Sequence, residues 1–557
     1  MIVGARRASS TAAAFALLLV TGFSGFPASA STSTTTVSPP KVSVANLQMS
    51  VPDAFSGCSI FDGALSDSMQ GVLDLTTPSA FVVDRFGRPL GANGPITQSE
   101  LISVSPQVVQ YRINPHFTWT TGQPFTGEQM VQWWEFSRRQ VGSAAVNYRS
   151  ISSLVVSTDG LAVTATFSLP NSGWSSLFRD MQRAPRSTGC SLAEVLREPQ
   201  LGPYQLVTLT NDHAVLVANP QFAQVTGNTP IAQRIEISTG GNALITGGTF
   251  AVMSHRYSQS QLQFISSPPT TSSFSVASST TERLTFSATR PQEASVNVRS
   301  ALASAIDRAS LVWKNVGLLN PGIAPAASSL FPQSSPSYPG PIGTPVGVTT
   351  TTSAIPTIFQ PSTGQLNDCG SCAPDFLRAA GFTPTASGWT GPTGPLILHL
   401  AVGPTTEDRM SAAAIATSWQ HLHAGVSMQY FSTEVAVLGA LRSGHFDAGV
   451  YHLPQPLPSE LASRWAVGAQ GGSLWTGWDP SALVADYQAG LGTLNSVTAT
   501  ASWKAIDDAI QRNVWDRPLY SLPNIEYWSS RLPLQTASNV VGLLDEFLNL
   551  TPASLSS

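Results

Sequence analysis

Residues 111–139 of this chain read YRINPHFTWTTGQPFTGEQMVQWWEFSRR. The segment Tyr111–Ile113 has the composition of a strand, and a helix is predicted to begin near Gly127. Thr126 is a natural N-cap residue, and Glu128 places a negative charge at the positive end of the helix dipole. We expect this helix to bury one apolar face, formed by Met130, Val131, Trp134 and Phe136.

The stretch from Trp119 to Gln129 resembles a signature of the family 5 extracytoplasmic solute-binding proteins, which serve peptide, nickel and related ABC importers. The family pattern reads Trp-Ser-Asp-Gly-x-Pro-Phe-Thr-Ala-x-Asp before a helix. This chain has Trp-Thr-Thr-Gly-Gln-Pro-Phe-Thr-Gly-Glu-Gln. The resemblance implies binding and transport, and we expect Trp119 and the following helix to pack within the protein rather than to contact a ligand.

Further motifs of this family follow in the family's order. Gly202–Tyr204 resembles its Gly-Pro-Tyr turn, and Asn297–Arg308 resembles its Val-Arg-x-Ala-Leu-x-x-Ala-Ile-Asp-Arg helix. Phe376–Phe382 is similar to its Leu-Leu-x-x-Ala-Gly helix end, and Ser443–Ala448 to its Gly-x-Phe-Asp-Ala turn. Each motif is weak alone, but their order and spacing are specific. Three charged residues of the second motif are interpreted as structural pairs or caps: Arg299, Asp307 and Arg308.

The resemblance implies an α/β, two-lobed, periplasmic-binding-protein-like fold of the class with an extra subdomain in lobe I. Lobe I would contain residues 46–283 and a C-terminal return over 519–557, and lobe II would contain 284–518. The hinges would lie near Leu284–Phe286 and Leu519–Ser521. Ligand would bind between the lobes and stabilise the closed form, which a permease then recognises.

The composition excludes several classes of partner. Charged residues make up 11% of the 557 residues, against roughly 25% in an ordinary soluble protein. The net charge of −4 offers no basic surface for nucleic acid. The low charge density also disfavours electrostatic steering of a strongly charged ligand.

The first residues have the pattern of a secretory signal. A pair of arginines precedes an apolar run over residues 12–20, and Ala28–Ala30 is a small-x-small cleavage pattern. We predict a signal peptide over 1–30 and a Ser/Thr-rich linker over 31–45. A retained anchor is the alternative, but the apolar run is shorter than the roughly 20 residues of a membrane span. No lipoprotein cysteine follows the signal, so we expect an exported protein in the periplasm, in the cell envelope or outside the cell.

The four cysteines suggest disulfides, because their number is even and the chain is predicted to be exported. Three connectivities are compatible with four cysteines. The Cys369-Gly-Ser-Cys372 pair is close enough to bond locally, which would leave Cys58 with Cys190. Redox exchange or half of a zinc site is the alternative for this motif, but the chain has no second Cys-x-x-Cys.

The sequence contains no recognised catalytic motif. A Gly-x-Ser-x-Gly elbow, His-Glu-x-x-His, Gly-rich phosphate loops and the EF-hand pattern are all absent. His421 and His423 lie two apart on a predicted helix, which is poor geometry for one metal ion. His445 and His452 flank a strand and are interpreted as surface or hydrogen-bonded side chains. We therefore predict no enzyme, no catalytic residues, no cofactor and no metal.

The ligand is predicted to meet the segment Tyr451–Pro456, which reads Tyr-His-Leu-Pro-Gln-Pro. Peptide-binding relatives resemble one another here in a Trp-x-Ala-Asp-Tyr-x-Asp-Pro pattern, whose first Asp holds the ligand's α-amino group. This chain has Pro454 or a neighbour at that position, and a buried ammonium without a carboxylate is costly. A neutral, hydroxyl-rich or amphipathic ligand is favoured. The predicted ligand-binding residues are Tyr451, His452, Trp475 and Trp478, with core packing as the alternative for the tryptophans.

Three functions remain open from the sequence. The first is a monomeric solute-binding component of an ABC importer, which takes a small solute or oligopeptide to a membrane permease and binds no nucleic acid. The second is a non-transport envelope factor that binds a glycolipid or a protein. Ile113-Asn114-Pro115 resembles a branch of the family in mycolic-acid bacteria that is associated with envelope glycolipids. The third is a secreted hydrolase.

Overall fold

A computed structural model describes residues 44–529, apart from 52–53, 62–64, 84–88, 93, 141–142, 187–190, 228–229, 231, 240–249, 255–270, 318, 334, 336, 340–369, 455–456 and 467–475. The predicted signal peptide lies outside the described residues, and so does the predicted linker up to residue 43. Cys190, Cys369 and Trp475 also lie outside them. None of the helices in the described part of the chain combines the length and the apolar character that crossing a membrane requires.

The helices are short to medium in length. They are α1 (Asp67–Thr76), α2 (Gly127–Ser137), α3 (Ser143–Arg149), α4 (Leu192–Arg197), α5 (Pro220–Thr226), α6 (Val296–Ser304), α7 (Arg308–Val312), α8 (Ala373–Ala379), α9 (Thr406–His421), α10 (Glu434–Arg442), α11 (Pro458–Ala466), α12 (Ser481–Leu491) and α13 (Ser496–Arg512).

The strands lie between these helices, singly or in runs of two to four. They are β1 (Val44–Val51), β2 (Phe81–Val83), β3 (Pro89–Gly91), β4 (Ile96–Val104), β5 (Gln107–Ile113), β6 (Ile151–Val156), β7 (Ala162–Phe167), β8 (Tyr204–Leu209), β9 (His213–Ala218), β10 (Ala232–Thr239), β11 (Phe250–Ser254), β12 (Thr271–Phe286), β13 (Thr383–Thr385), β14 (Gly388–Gly391), β15 (Gly394–Pro395), β16 (Ile397–Val402), β17 (Gly425–Tyr430), β18 (Ala448–Pro454) and β19 (Asp516–Ser529).

A ten-stranded mixed sheet runs through the protein in the order β17-β16-β18-β12-β19-β11-β1-β10-β9-β8. One end belongs to the N-terminal part, which we define as residues 44–239. The other end belongs to the central part, residues 281–522. The long strands β12 and β19 pair with each other between these ends, and their register shifts between Ala277 and Thr281. The two parts are therefore joined through paired strands.

The segment quoted above folds as a compact unit of the N-terminal part. Strands β4-β5-β7-β6 form an antiparallel sheet, and α2 packs against it. Gln129 accepts hydrogen bonds from the Trp119 indole at 2.9 Å and from the Thr126 backbone N–H at 3.2 Å. Trp119 is 2% exposed. The predicted helix start and the packing role of Trp119 are both confirmed.

The central part has an apolar core on each face of its sheet. One core includes buried residues of α6, α8 and α9. The other includes buried residues of α10, α11 and α13. The helix motif Asn297–Arg308 does not form one helix: α6 ends at Ser304, and Asp307 caps a new helix by accepting from the Ser310 N–H at 2.9 Å. Both cores enclose the strands that carry the predicted ligand-binding segment.

Candidate functional site

Strand β18 brings the predicted residues Tyr451 and His452 into the middle of the central part. It lies between β16, to which it is parallel, and β12, to which it is antiparallel. Glu282 pairs with His452 and Arg283 pairs with Tyr451 across the β12–β18 ladder. Because neighbouring residues of a strand point to opposite faces, two separate polar groups form, one on each side of the sheet.

The first group, here called the Arg283 network, consists of Arg283, Thr285, Tyr451 and Asp516. Arg283 and Asp516 form an ion pair with 3.2 Å between Nη1 and Oδ2, and both side chains are 0% exposed. Thr285 donates to Asp516 at 2.8 Å, so the Tyr451 hydroxyl is left to donate to the Thr285 oxygen, also at 2.8 Å. Burial raises the pKa of Tyr451, which keeps this hydroxyl protonated.

The second group, here called the His452 cluster, lies on the opposite face and consists of Glu282, Asp408, Glu434 and His452. The two imidazole nitrogens of His452 each face a carboxylate. Nδ1 is 3.1 Å from Asp408 Oδ1, and Nε2 is 3.0 Å from Glu434 Oε1. Glu282 and Asp408 are 0% exposed and His452 is 4% exposed. A group of ionisable side chains this buried must be neutralised internally.

The start of α9 positions Asp408 in the His452 cluster. After β16 ends, Thr405 and Asp408 form a capping box, in which the Thr405 N–H donates to Asp408 Oδ2 at 2.9 Å. The other oxygen, Oδ1, is left to face His452. Burial alone would raise the pKa of Asp408, but His452 and the cap lower it to about 2. For Glu282, burial and then the Asp408 charge raise the pKa well above its usual value.

Trp478 is buried in a stack of three indoles. Its ring lies 4.8 Å from that of Trp465 and 5.1 Å from that of Trp515, both nearly parallel to it. Trp478 is 4% exposed and Tyr451 is 0% exposed. Trp475 lies outside the described residues. Direct contact of the four predicted residues with a ligand stays a prediction, and three of them pack in the interior here.

Asp447, immediately before β18, holds a third polar group that the sequence motif alone does not reveal. It accepts from Arg290 Nε at 2.7 Å and from the His399 backbone N–H at 2.6 Å. Glu293 is buried beside it with 0% exposure. Burial and then the negative charge of Asp447 raise the pKa of Glu293 to about 9. Glu293 therefore stays protonated at neutral pH.

The N-terminal and central parts touch near α3 and the 3-10 turn Ser172–Ser176. The Ser172 hydroxyl donates to the Gly490 carbonyl of α12 at 2.7 Å. Burial raises the pKa of Glu460 in α11, while the positive charges of Arg179 and Arg464 and a hydrogen bond from Ser176 oppose this effect. Polar groups of the two parts thus meet directly at this contact.

Comparison with known proteins agrees with this architecture. Residues 95–473 match the profile of bacterial extracellular solute-binding proteins, family 5 Middle. No curated protein matches the sequence significantly. A periplasmic EDTA-binding protein, EppA, has a similar structure with a TM-score of 0.73 and 19% identity, covering 91% of this chain and 96% of that one.

Two further structures have the same fold. The oligopeptide-binding protein AppA from Bacillus subtilis, in complex with a nonapeptide, has a TM-score of 0.72 and 12% identity over 91% of this chain and 98% of its own. NikA from Staphylococcus aureus, in complex with Ni(L-His)2, has a TM-score of 0.67 and 14% identity over 89% and 97%. At such identities the likeness shows the fold alone, which is the α/β class C periplasmic-binding-protein fold predicted from the sequence.

The profile covers well over half of the chain, so the match establishes the family as well as the fold. The family consists of non-catalytic proteins, so the hydrolase alternative is wrong. This chain belongs to the bacterial extracellular solute-binding proteins of family 5, the binding components of ABC importers.

Proposed function

We propose that this protein captures a neutral or amphipathic, peptide-like solute between two lobes and presents it to a membrane permease as a monomer. The observation that carries this proposal is the family match over residues 95–473, together with a shared fold over about nine-tenths of the chain. The proposed lobes are those expected from the sequence, residues 46–283 with 519–557, and residues 284–518. Export to the periplasm or cell envelope is part of the proposal.

The ligand class follows from the charges around β18. Peptide-binding relatives resemble one another in having an Asp at this point of the chain, whereas this protein has Pro454 or a neighbour there. Three of the acidic side chains near this strand are already engaged: Asp516 pairs with Arg283, Asp447 with Arg290, and Asp408 with His452. Glu282 is fully buried, and burial and the Asp408 charge raise its pKa well above the usual value, so it offers no ready negative charge to a ligand. A ligand ammonium would need a carboxylate of its own. A ligand without a buried cationic group fits this arrangement better.

The binding wall is proposed to be the end of β18 and the segment around residues 475–478. Trp475 would contact the ligand. Tyr451, His452 and Trp478, which are buried, would hold the wall in place through the Arg283 network, the His452 cluster and the indole stack. Aromatic side chains held rigidly in this way give large contact area at little entropic cost.

Native mass spectrometry of the purified protein is the first test, because it identifies a co-purified ligand without a prior guess. We expect a bound mass that denaturation releases, and a smaller radius of gyration in solution scattering when that ligand is added back. Isothermal titration should then show that Trp475→Ala weakens binding at least about tenfold, while Trp313→Ala, at a position that is 41% exposed, does not. Failure of every tested solute to bind or to close the protein would contradict transport.

The envelope-factor alternative makes a different prediction for the same experiments. A glycolipid would appear as an acylated mass in native mass spectrometry, and a protein partner would co-purify at constant stoichiometry. Neither should be accompanied by uptake defects when the chain is deleted. Uptake of the identified solute that depends on this protein would exclude the alternative.

A further inference from the structure

Three side chains of kinds that bind metal ions in proteins converge from elements that are far apart in sequence. Glu282 comes from β12, Asp408 from the first turn of α9 and His452 from β18. Each offers one ligand atom, and these atoms all lie within 4.8 Å of one another. The three residues are almost fully buried. This is the one such group of three or more in the described part of the chain.

The fourth member of the His452 cluster, Glu434, orients the imidazole. Its Oε1 lies 3.0 Å from His452 Nε2, so with a metal ion on Nδ1 the Nε2–H would donate to Glu434. A carboxylate on the far nitrogen of a histidine is the usual support of a metal-binding imidazole, because it fixes the tautomer and the ring orientation. The cluster already contains this support.

Glu282 supplies an independent observation. Neither of its carboxyl oxygens has a hydrogen-bond partner among the described residues, although the side chain is 0% exposed. The nearby Ser411 hydroxyl is engaged with Tyr520 at 2.9 Å. A buried carboxyl group without a partner is expensive, and such groups usually mark an ion, a water or a shared proton.

We propose that Glu282, Asp408 and His452 bind a divalent metal ion of the zinc type inside the central part. The 3.1 Å between His452 Nδ1 and Asp408 Oδ1 is close to the roughly 3.3 Å that separates two ligands of a tetrahedral Zn²⁺ with bonds of about 2.0–2.1 Å. Two ionised carboxylates and a neutral imidazole balance the charge of the ion. A set that includes imidazole favours Zn²⁺ over Ca²⁺ or Mg²⁺.

This site is separate from the proposed solute site, because its ligands are protein side chains buried in the sheet and under α9. The ion would tie the start of α9 to β12 and β18. The competing account is a metal-free cluster in which Glu282 shares a proton with Asp408 and His452 is charged. That account satisfies the same atoms with protons, so metal content decides between the two.

The test uses the full chain without a polyhistidine tag, stripped with EDTA, incubated separately with Zn²⁺, Mn²⁺, Ca²⁺ or Mg²⁺, and desalted. Elemental analysis and thermal unfolding are then measured. We expect close to one Zn²⁺ per chain and a higher Tm with Zn²⁺ than with Ca²⁺ or Mg²⁺. Glu282→Gln and His452→Gln should lose at least about tenfold in Zn²⁺ affinity.

His399→Gln is the matched control, because His399 also faces a carboxylate, with Nδ1 3.0 Å from Asp447, but lies outside the cluster. It should retain Zn²⁺ like the unmodified chain. If His452→Gln fails to fold, Glu434→Gln removes only the support of the imidazole and should weaken Zn²⁺ binding about 10- to 100-fold. Equal Zn²⁺ retention by the unmodified chain and Glu282→Gln, or a preference for Ca²⁺, overturns the proposal.

Discussion

Buried charged side chains organise the interior around β18. Arg283 and Asp516 are fully enclosed, and their ion pair is completed by Thr285 and by the Ser329 carbonyl, which accepts from Arg283 at 3.2 Å. A buried ion pair of this kind is weak proof of stability, since desolvation offsets much of the attraction. Its effect is to fix the register of β12 against β18 and β19, because a shifted strand would leave a charge unpaired.

Replacing Tyr451 with Phe separates packing from ligand contact. Tyr451→Phe removes the hydroxyl that donates to Thr285 in a fully buried site, and we expect the free energy of unfolding to fall by about 1 kcal/mol. Ligand affinity should change less than about twofold if Tyr451 only supports the wall. Chemical denaturation and calorimetric titration measure the two quantities. A large affinity loss at unchanged stability would instead place the hydroxyl on the ligand.

Glu293 should make stability depend on pH. Its pKa is raised from 4.5 to about 9, so the folded state holds a proton that the unfolded state releases. Between about pH 5 and pH 9 the folded state binds more protons, and stability therefore falls as pH rises, by at most about 1.4 kcal/mol per pH unit. Glu293→Gln should flatten this dependence and unfold at a higher temperature than the unmodified chain at pH 9. The exposed Glu100→Gln should leave the Tm profile against pH unchanged.

The cysteines give a direct chemical prediction. We expect two disulfides, Cys58 with Cys190 and Cys369 with Cys372, so the exported protein should react with a thiol reagent only after reduction. Peptide mapping without reduction identifies the pairs. A free thiol on any of the four, or a bridge between Cys58 and Cys372, would require a different connectivity.

Glycine at the Gly-Pro-Tyr turn is required by close approach of two elements. A Cβ on Gly202 would lie 2.1 Å from the Leu75 carbonyl oxygen at the end of α1. Gly202→Ala should therefore destabilise the fold by about 3 kcal/mol. Gly439→Ala is the control, because nothing lies within 4 Å of its added Cβ within α10, and alanine should stabilise that helix by up to about 1 kcal/mol. Thermal unfolding of the two variants checks both signs.

Most elements could be predicted from local patterns. The hairpin of β6 and β7 turns at Asp159–Gly160, as the sequence indicates, and Gly160 has a φ of +75° that favours glycine. Arg299 is structural, as predicted, but it binds the carbonyl groups of Asn513 and Val514 rather than a charged partner. Local patterns do not specify such distant acceptors.

The His452 cluster could not be predicted, for a physical reason. Its members are separated by more than a hundred residues of sequence between β12 and α9, and no local spacing records their convergence. The motif at Tyr451–Pro456 predicts ligand contact for His452, whereas its burial depends on α9 covering the sheet. A strand-to-helix connection with an acidic N-cap box, here Thr405–Asp408, is the one signal that places a carboxylate at the end of a parallel strand.

The contact between the N-terminal and central parts should govern domain closure. Ser172→Arg would insert a large charged side chain where the Ser172 hydroxyl meets the Gly490 carbonyl. We expect a larger radius of gyration in solution scattering, because the arginine would disfavour the closed form. Ligand binding should weaken as well, because part of the binding free energy would then be needed to restore closure. Ser418→Arg, on a half-buried helical position whose hydroxyl bonds within α9, serves as the control. Equal radii for all three proteins would argue against closure at this contact.

The place of β19 in the ten-stranded sheet constrains how the chain acquires its fold. Residues 516–529 follow all the other described elements in sequence, yet β19 lies between β12 and β11 in the middle of the sheet. A chain that emerges N-terminus first can form β8–β10 and the four-stranded sheet early, but it cannot join the two ends of the large sheet until residue 529 is available. Such non-local pairing is slow, so a chain that has formed β11 and β12 but not yet β19 leaves the facing edges of these two strands unpaired, and these edges are where a chaperone would be needed.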